Sequence, residues 1–249
     1  MLSKTYTKYI QSLLHKKARD EDRVFIAEGP KLVPELLQSG LFACRQLIAV
    51  QSWLTENENW LKRYSIEIIP VQDFELEKIS ALSTPNRVLA VFEMRNADAD
   101  FSANQKITLL LDNIQDPGNL GTIIRIADWY GIENIICSPY CADVYNPKVV
   151  QSTMGSIARV NLVYTNPVQW LQANKAITVY AAALDGKNLY ELGNIQEAII
   201  IIGNESKGIN DELLGLASEK ITIPRIGQAE SLNAAVATGI ILSQVLSSR

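Results

Sequence analysis

One histidine, His15, occurs among the 249 residues of this chain, with three cysteines, Cys44, Cys137 and Cys141. A single imidazole excludes every mechanism that needs two and argues against a Ser-His-Asp triad. An odd cysteine count without a tight framework argues against a disulfide scaffold. Cys137 and Cys141 would make half of a metal site, but no second pair completes the usual ligand sets, so no metal is expected. Long apolar runs are also missing. Clusters such as Ala198–Ile202 are strand-sized, far short of the roughly 20 residues a membrane-crossing helix needs. The opening Met-Leu-Ser-Lys-Thr-Tyr lacks the apolar stretch of a secretory signal. No membrane partner is expected, and the expected location is the cytoplasm.

Excess positive charge is absent: the net charge is −4, which does not advertise a nucleic-acid binder. Its distribution says more. Residues 1–19 carry Lys4, Lys8, Lys16, Lys17 and Arg19 with no acidic residue, and Tyr6 and Tyr9 lie among them. Such a segment can contact phosphates through counterion release, or can be a solvated first helix. Two phosphate fingerprints are missing. No G-x-G-x-x-G occurs. The Gly203-to-Gly208 spacing mimics the start of a P-loop, but Ile209-Asn210 follow where Lys-Ser/Thr is required.

What is present reads as a globular α/β protein, with 47% hydrophobic and 20% charged residues. In the first half, helical stretches near 5–19, 28–39, 53–64 and 74–80 alternate with apolar strands at 24–27, 46–50, 66–69 and 88–94. Pro30 suits a first helical turn, and Gly40 suits a C-terminal stop. The run Asn96–Asn104 is polar and without period, and it reads as a linker. The expected division is therefore 1–95, a linker over 96–104, and 105–249. The second half has strands expected at 107–111, 134–137, 178–183, 198–202 and 221–223. Helices are expected at 121–130, 147–156, 168–174, 211–217 and 231–246. Apolar strands separated by helices favour a parallel sheet covered on both faces.

Three stretches follow expected strands of that sheet, where ligands of parallel α/β proteins bind. In the first, Leu111–Ala127, a polar turn with Pro117 and Gly118 leads into a helix beginning near Asn119. The helix start offers free N–H groups to an anion. Arg125 follows on that helix among Ile123, Ile124 and Ile126, as if against a packed face. In the second, Ile199–Ile209, the strand runs straight into Gly203, where a ligand can approach bare backbone; the plain alternative is a turn capped by Asn204 and Glu205. In the third, Ile221–Leu242, a turn at 224–227 leads to a helix starting at Ser231, whose hydroxyl suits an N-cap. Ala234, Ala235, Ala237 and Gly239 make that helix slim. Ser231 and Asn233, taken alone, read as capping residues.

Together, Asp116-Pro-Gly-Asn-Leu-Gly-Thr-Ile-Ile-Arg125, Gly203-Asn-Glu-Ser-Lys-Gly208 and Ser231-Leu-Asn233 resemble, in order and spacing, the three signature motifs of SpoU-family RNA 2′-O-methyltransferases. Lys148–Gly155 resembles that family's connecting segment. The resemblance covers about 107–246. Lys16-Lys17 and Phe25–Val33 resemble, more loosely, a substrate-binding domain with a fold like ribosomal protein L30e. Thr84-Pro-Asn-Arg-Val-Leu-Ala90 departs from that domain's usual Pro-Gln-Gly, with Arg87 in place of glycine.

The resemblance implies a SPOUT domain with a deep C-terminal trefoil knot, preceded by a smaller L30e-like α/β domain. It implies S-adenosyl-L-methionine as cofactor, with Gly203, Ile223 and Leu232 bounding the adenosine pocket. It assigns catalysis to Arg125, with Asn119, Glu205, Ser231 and Asn233. Asn119 and Asn233 would orient the ribose and the knot loops, Glu205 would position Arg125 or the substrate, and Ser231 would fix its loop. Lys16, Lys17, Arg19 and Lys31 would contact RNA. The implied partners are RNA, ribosomal before transfer RNA, and a second copy of this chain paired through the knotted domain, with DNA excluded. A non-catalytic RNA-binding or ribosome-assembly factor on the same fold is the alternative from another class. The intact Asn119, Arg125, Glu205 and Asn233 set speaks against it.

Overall fold

A computed structural model of the protein describes residues 2–193 and 195–247. The elements run in chain order as α1 (Lys4–Ser12), α2 (Lys16–Asp22), β1 (Val24–Glu28), α3 (Leu32–Ser39), β2 (Cys44–Val50), α4 (Gln51–Leu61), β3 (Glu67–Val71), α5 (Asp73–Ile79), β4 (Val88–Glu93), β5 (Ile107–Leu111), α6 (Pro117–Trp129), β6 (Asn134–Cys137), α7 (Pro147–Thr153), β7 (Asn161–Tyr164), α8 (Pro167–Ala173), β8 (Val179–Asn188), β9 (Ala198–Ile202), α9 (Asp211–Leu216), β10 (Glu219–Thr222) and α10 (Ala234–Val245). Two compact units result. One runs to Asn96 and takes in Tyr145–Ala158; the other comprises Ala97–Val144 and the chain from Arg159 onward.

The first unit holds a four-stranded sheet in the order β1-β4-β2-β3. β4 is antiparallel to both β1 and β2, and β2 is parallel to β3. Phe25 anchors its core, stacked on Phe92 at 5.7 Å and edge-on to Phe42 at 5.3 Å. The same ring explains why 145–158 clusters here, although the sequence division leaves that segment with the second half. Tyr145 lies 4.8 Å from Phe25, and its hydroxyl both accepts from the Arg95 N–H and donates to the Arg95 carbonyl, each at 3.0 Å. Gly155 sits at φ +98°, where a side chain is strained, and a Cβ there would meet the Glu35 carboxylate, which would have to swing aside. Helix α3 begins at Leu32, so Pro30 stands outside the helix. The turn at Gly29 (φ +114°) sets the later start, and Gly40 ends the helix in the left-handed conformation as expected.

The second unit holds six parallel strands in the order β10-β8-β9-β5-β6-β7. Leu110, Ile136, Ile199 and Ile201 pack in the core on one side of the sheet. The apolar runs 107–111, 134–137 and 198–202 form strands with the expected bounds. β7 (Asn-Leu-Val-Tyr) has no counterpart among the expected strands, and β8 extends through the polar 185–188 because Lys187 and Asn188 pair with Ile221 and Thr222. From β5 the chain adds β6 and β7 on one side, then crosses over to place β8 and β9 on the other. The crevice beyond β5 and β9 is thus a topological switch point, the usual ligand position in such sheets.

Thr108 sits within this sheet on β5. Its hydroxyl is buried with no hydrogen-bond partner among the described residues. An isosteric Thr108→Val removes an unmet polar group, so it is expected to stabilise the protein by about 1 kcal/mol and raise the melting temperature by roughly 2–4 °C. A thermal scan checks this; an unchanged or lower midpoint would contradict it.

Candidate active site

The three stretches singled out in the sequence meet in the second unit, beyond the carboxyl ends of its strands. Leu111 on β5 is paired in register with Ile202 on β9. The chain after β5 therefore emerges beside the chain after β9. Asp116 caps α6 by accepting from the Asn119 N–H at 2.8 Å, with Pro117 in the first turn, so the helix begins two residues before Asn119. α6 packs against α10.

The start of α10 differs from the sequence reading. Asn233, not Ser231, is the N-cap: its Oδ1 accepts from the Ala235 and Val236 N–H groups at 3.0 and 3.2 Å. Ser231 lies exposed in the loop ahead of the helix. With Oδ1 so engaged, the Asn233 amide must donate through Nδ2, and it donates to Asn119 Oδ1 at 2.8 Å. The Asn119 Nδ2 in turn donates to the Glu205 carboxylate. One residue from each stretch is thereby joined in a single directed chain, from the α10 N-terminus through Asn233 and Asn119 to Glu205. Each amide is fixed in orientation by its neighbour. Glu205 thus holds Asn119 rather than Arg125.

Arg125 is exposed on α6, while Ile123 and Ile124 are buried. It does not sit against a packed face, and it makes no hydrogen bond or ion pair among the described residues. On a helix, 118, 122, 125 and 129 fall along one stripe. Thr122, Arg125 and Trp129 are all exposed there, Trp129 to 84%.

Gly203 has a different reason from the one expected. A Cβ there would lie 2.5 Å from the carbonyl carbon of Gly208 and 2.6 Å from the Ile209 nitrogen. The bare backbone admits the protein's own chain. Asn204 and Gly208 exchange N–H···O bonds at 3.0 and 2.9 Å, and Asn204 Oδ1 accepts from the Ser206 and Lys207 N–H groups. The result is a closed loop that presents Glu205 at its shoulder.

Ile223 is half-buried after β10, and Leu232 is 45% exposed. Between them, no N–H group from Ile226 to Leu232 donates to another group among the described residues. Ile226 is also fully exposed. Apolar side chains beside unengaged backbone donors suit a flat heteroaromatic ring with acceptor atoms at its edge. The residues present thus fit the adenosine end of S-adenosylmethionine.

In the first unit, Lys16, Lys17 and Lys31 are exposed. Arg19 is not. It is 1% exposed, and its guanidinium donates to the Leu13 and Leu14 carbonyls at 3.0 and 2.9 Å. The expectation that Arg19 contacts RNA is corrected: it satisfies carbonyls left open where α1 ends. Arg19→Met is expected to cost about 2–3 kcal/mol of stability. It should leave the salt dependence of RNA binding unchanged, as denaturant titration and binding isotherms would show. Arg87, the departure from the usual glycine, is held by Glu56 at 2.7 and 2.9 Å and by Ser52 at 3.2 Å. Cys137 and Cys141 are buried thiols, and Cys141 donates to the Leu111 carbonyl at 3.3 Å.

Comparison with known proteins bears on both units. The model of the SpoU rRNA methylase family matches residues 106–243, and that of the MRM3-like substrate binding domain matches residues 4–90. A curated relative, the 23S rRNA (guanosine(2553)-2′-O)-methyltransferase RlmP of Bacillus subtilis, is 31% identical over 230 residues, 91% of this chain and 90% of its own. An rRNA methyltransferase of Sinorhizobium meliloti, solved with bound S-adenosylmethionine, superposes with a TM-score of 0.89 at 30% identity, covering 100% of this chain and 96% of that one. The SpoU methyltransferase AviRb of Streptomyces viridochromogenes, also solved with S-adenosylmethionine, gives 0.87 at 27% identity, covering 99% and 98%.

Proposed function

Because the chain belongs to the SpoU rRNA methylase family, we propose that it transfers a methyl group from S-adenosylmethionine to a ribose 2′-hydroxyl of ribosomal RNA. The observation that carries this reading is the joining of Asn119, Glu205 and Asn233, one residue from each signature stretch, at the switch point of the parallel sheet. A factor that only binds RNA has no need of that constellation.

Bound S-adenosylmethionine supplies an electrophilic methyl on a sulfonium. Gly203, Ile223 and Leu232 hold its adenosine end. Arg125 stabilises the developing alkoxide of the 2′-oxygen. A guanidinium stays protonated near neutral pH, so this role fits it better than that of a base. Asn119 and Asn233 orient the ribose and the loops, and Glu205 fixes the Asn119 amide. Ser231 shapes the loop before α10. The same reading includes the C-terminal trefoil knot of a SPOUT domain, supported by the likeness of the chain to solved SpoU methyltransferases.

The substrate-binding domain is 1–95, joined by the linker 96–104 to a methyltransferase domain over 105–249. The two family matches, 4–90 and 106–243, support this division. Lys16, Lys17 and Lys31 supply phosphate contacts. A homodimer through the methyltransferase domain is part of the proposal, favoured by the exposed Trp129 on α6 and Val236 on α10. No helix among the described residues is long and apolar enough to cross a membrane, and the cytoplasm is the proposed location.

Mapping 2′-O-methyl sites in total RNA from cells with and without the gene tests the substrate. The expected result is one mark missing from ribosomal RNA. A mark missing only from transfer RNA, or no missing mark, would overturn the assignment.

A further inference from the structure

Asp112 is the first residue beyond β5 and takes no part in the Asn233–Asn119–Glu205 chain. It is 3% exposed, an unusual place for a carboxylate unless it is bonded. Its bonds are specific. The Asp112 main-chain N–H donates to the Ile202 carbonyl at 2.9 Å, at the point where the 203–210 loop departs from β9. Its carboxylate Oδ2 accepts from the Asn210 N–H at 2.8 Å, at the point where that loop enters α9. One residue therefore holds both ends of the loop that carries Gly203 and Glu205. Its other carboxylate oxygen accepts from the Asn113 amide at 2.9 Å. The Asn113 carbonyl in turn accepts from the Asn204 amide at 2.9 Å, inside the same loop.

We infer that Asp112 is a positioning residue for the methyl transfer: it clamps the 203–210 loop in the shape that accepts the cofactor. The inference rests on the proposed function, because it presupposes that Gly203 borders the cofactor. The clamp works through population. With the carboxylate gone, the Asn210 N–H loses its acceptor and the loop opens. Apparent cofactor affinity then falls by the fraction of molecules that remain competent. Saturating cofactor refills that fraction, so turnover at saturation recovers. A merely structural aspartate would instead lower the amount of folded protein recovered, cutting activity at every cofactor concentration without moving the Michaelis constant for cofactor.

The test compares the unaltered chain with Asp112→Asn and Asp112→Ala, and with Thr108→Val as a control on the preceding strand. S-adenosylhomocysteine binding is measured by calorimetry, and methylation of ribosomal RNA by steady-state kinetics. Asn keeps one oxygen for the Asn210 N–H, so a loss of about tenfold in affinity is expected for Asp112→Asn and about a hundredfold for Asp112→Ala. In both, kcat at saturating cofactor should stay within about threefold, and KM for RNA should be unmoved. Equal affinity in all variants would overturn the inference, as would losses of kcat with an unchanged KM for cofactor. If Asp112→Ala does not fold, Asp112→Asn decides; if neither folds, Asp112 belongs to the core and the clamp is refuted. Failure of the unaltered protein to bind S-adenosylhomocysteine is a separate outcome, which removes the cofactor assignment itself and this inference with it.

Discussion

Arg125→Ala is expected to bind S-adenosylmethionine as the unaltered protein does, yet to lose at least about a hundredfold in turnover, the scale for removing one donor to a developing oxyanion. The expectation follows from where the side chain sits. Arg125 projects from α6 into solvent and forms no ion pair among the described residues. A cation held in that state is available to a charge that appears only during reaction. It anchors nothing in the fold, so its removal should leave stability and cofactor affinity intact. A ribose hydroxyl is a poor nucleophile at neutral pH, and the barrier contains the cost of building negative charge on its oxygen. A guanidinium lowers that cost without accepting a proton. Arg125→Lys keeps the charge but loses the planar fork, and it should fall between the two. Single-turnover methylation with saturating cofactor measures the chemical step directly. Near-normal rates in Arg125→Ala would rule the role out.

Gly203→Ala is expected to weaken cofactor binding at least about a hundredfold, through strain rather than lost contact. The added methyl would stand 2.5 Å from the Gly208 carbonyl carbon, and backbone cannot move aside as a flexible side chain can. The Asn204–Gly208 exchange would open, and Glu205 would leave Asn119. The chain of amides ending at the α10 cap would then lose its acceptor. Gly193 offers the contrast: nothing among the described residues lies within 4 Å of a Cβ there, so Gly193→Ala should bind cofactor normally. Calorimetry on the two variants checks the pair. Equal affinities would show that the loop tolerates a side chain and that its shape is not what the site requires.

These effects depend on contacts that the sequence reveals unevenly. The buried strands at 107–111, 134–137 and 198–202 are legible because continuous apolar runs between helices have few other places to go. β7 escapes because four residues with only two fully buried carry too little pattern. The extension of β8 escapes because Asp185–Asn188 is polar and is recruited by pairing with β10, a partner more than thirty residues away. Arg19 looks like surface charge until the end of α1 is placed above it. Its burial depends on carbonyls that only the folded chain brings near. Ser231 and Asn233 are both good caps by residue type, and only the position at which the loop meets α6 selects Asn233. In the candidate site, the three stretches can be found individually from turn and cap residues. That Asn119, Glu205 and Asn233 touch follows from strand order, since β5 and β9 are neighbours although about ninety residues separate them. The clamp at Asp112 has no sequence signature at all: an aspartate after a strand is ordinary, and its meaning lies in what it holds.

Methyl transfer itself is read by incubating the purified protein with unmethylated ribosomal RNA and S-adenosylmethionine labelled in its methyl group, then digesting the RNA to nucleosides. The label should appear in a single 2′-O-methylnucleoside, and Arg125→Ala should reduce this label while still retaining cofactor. Label on a base, or RNA left unlabelled by a protein that binds the cofactor, would contradict it.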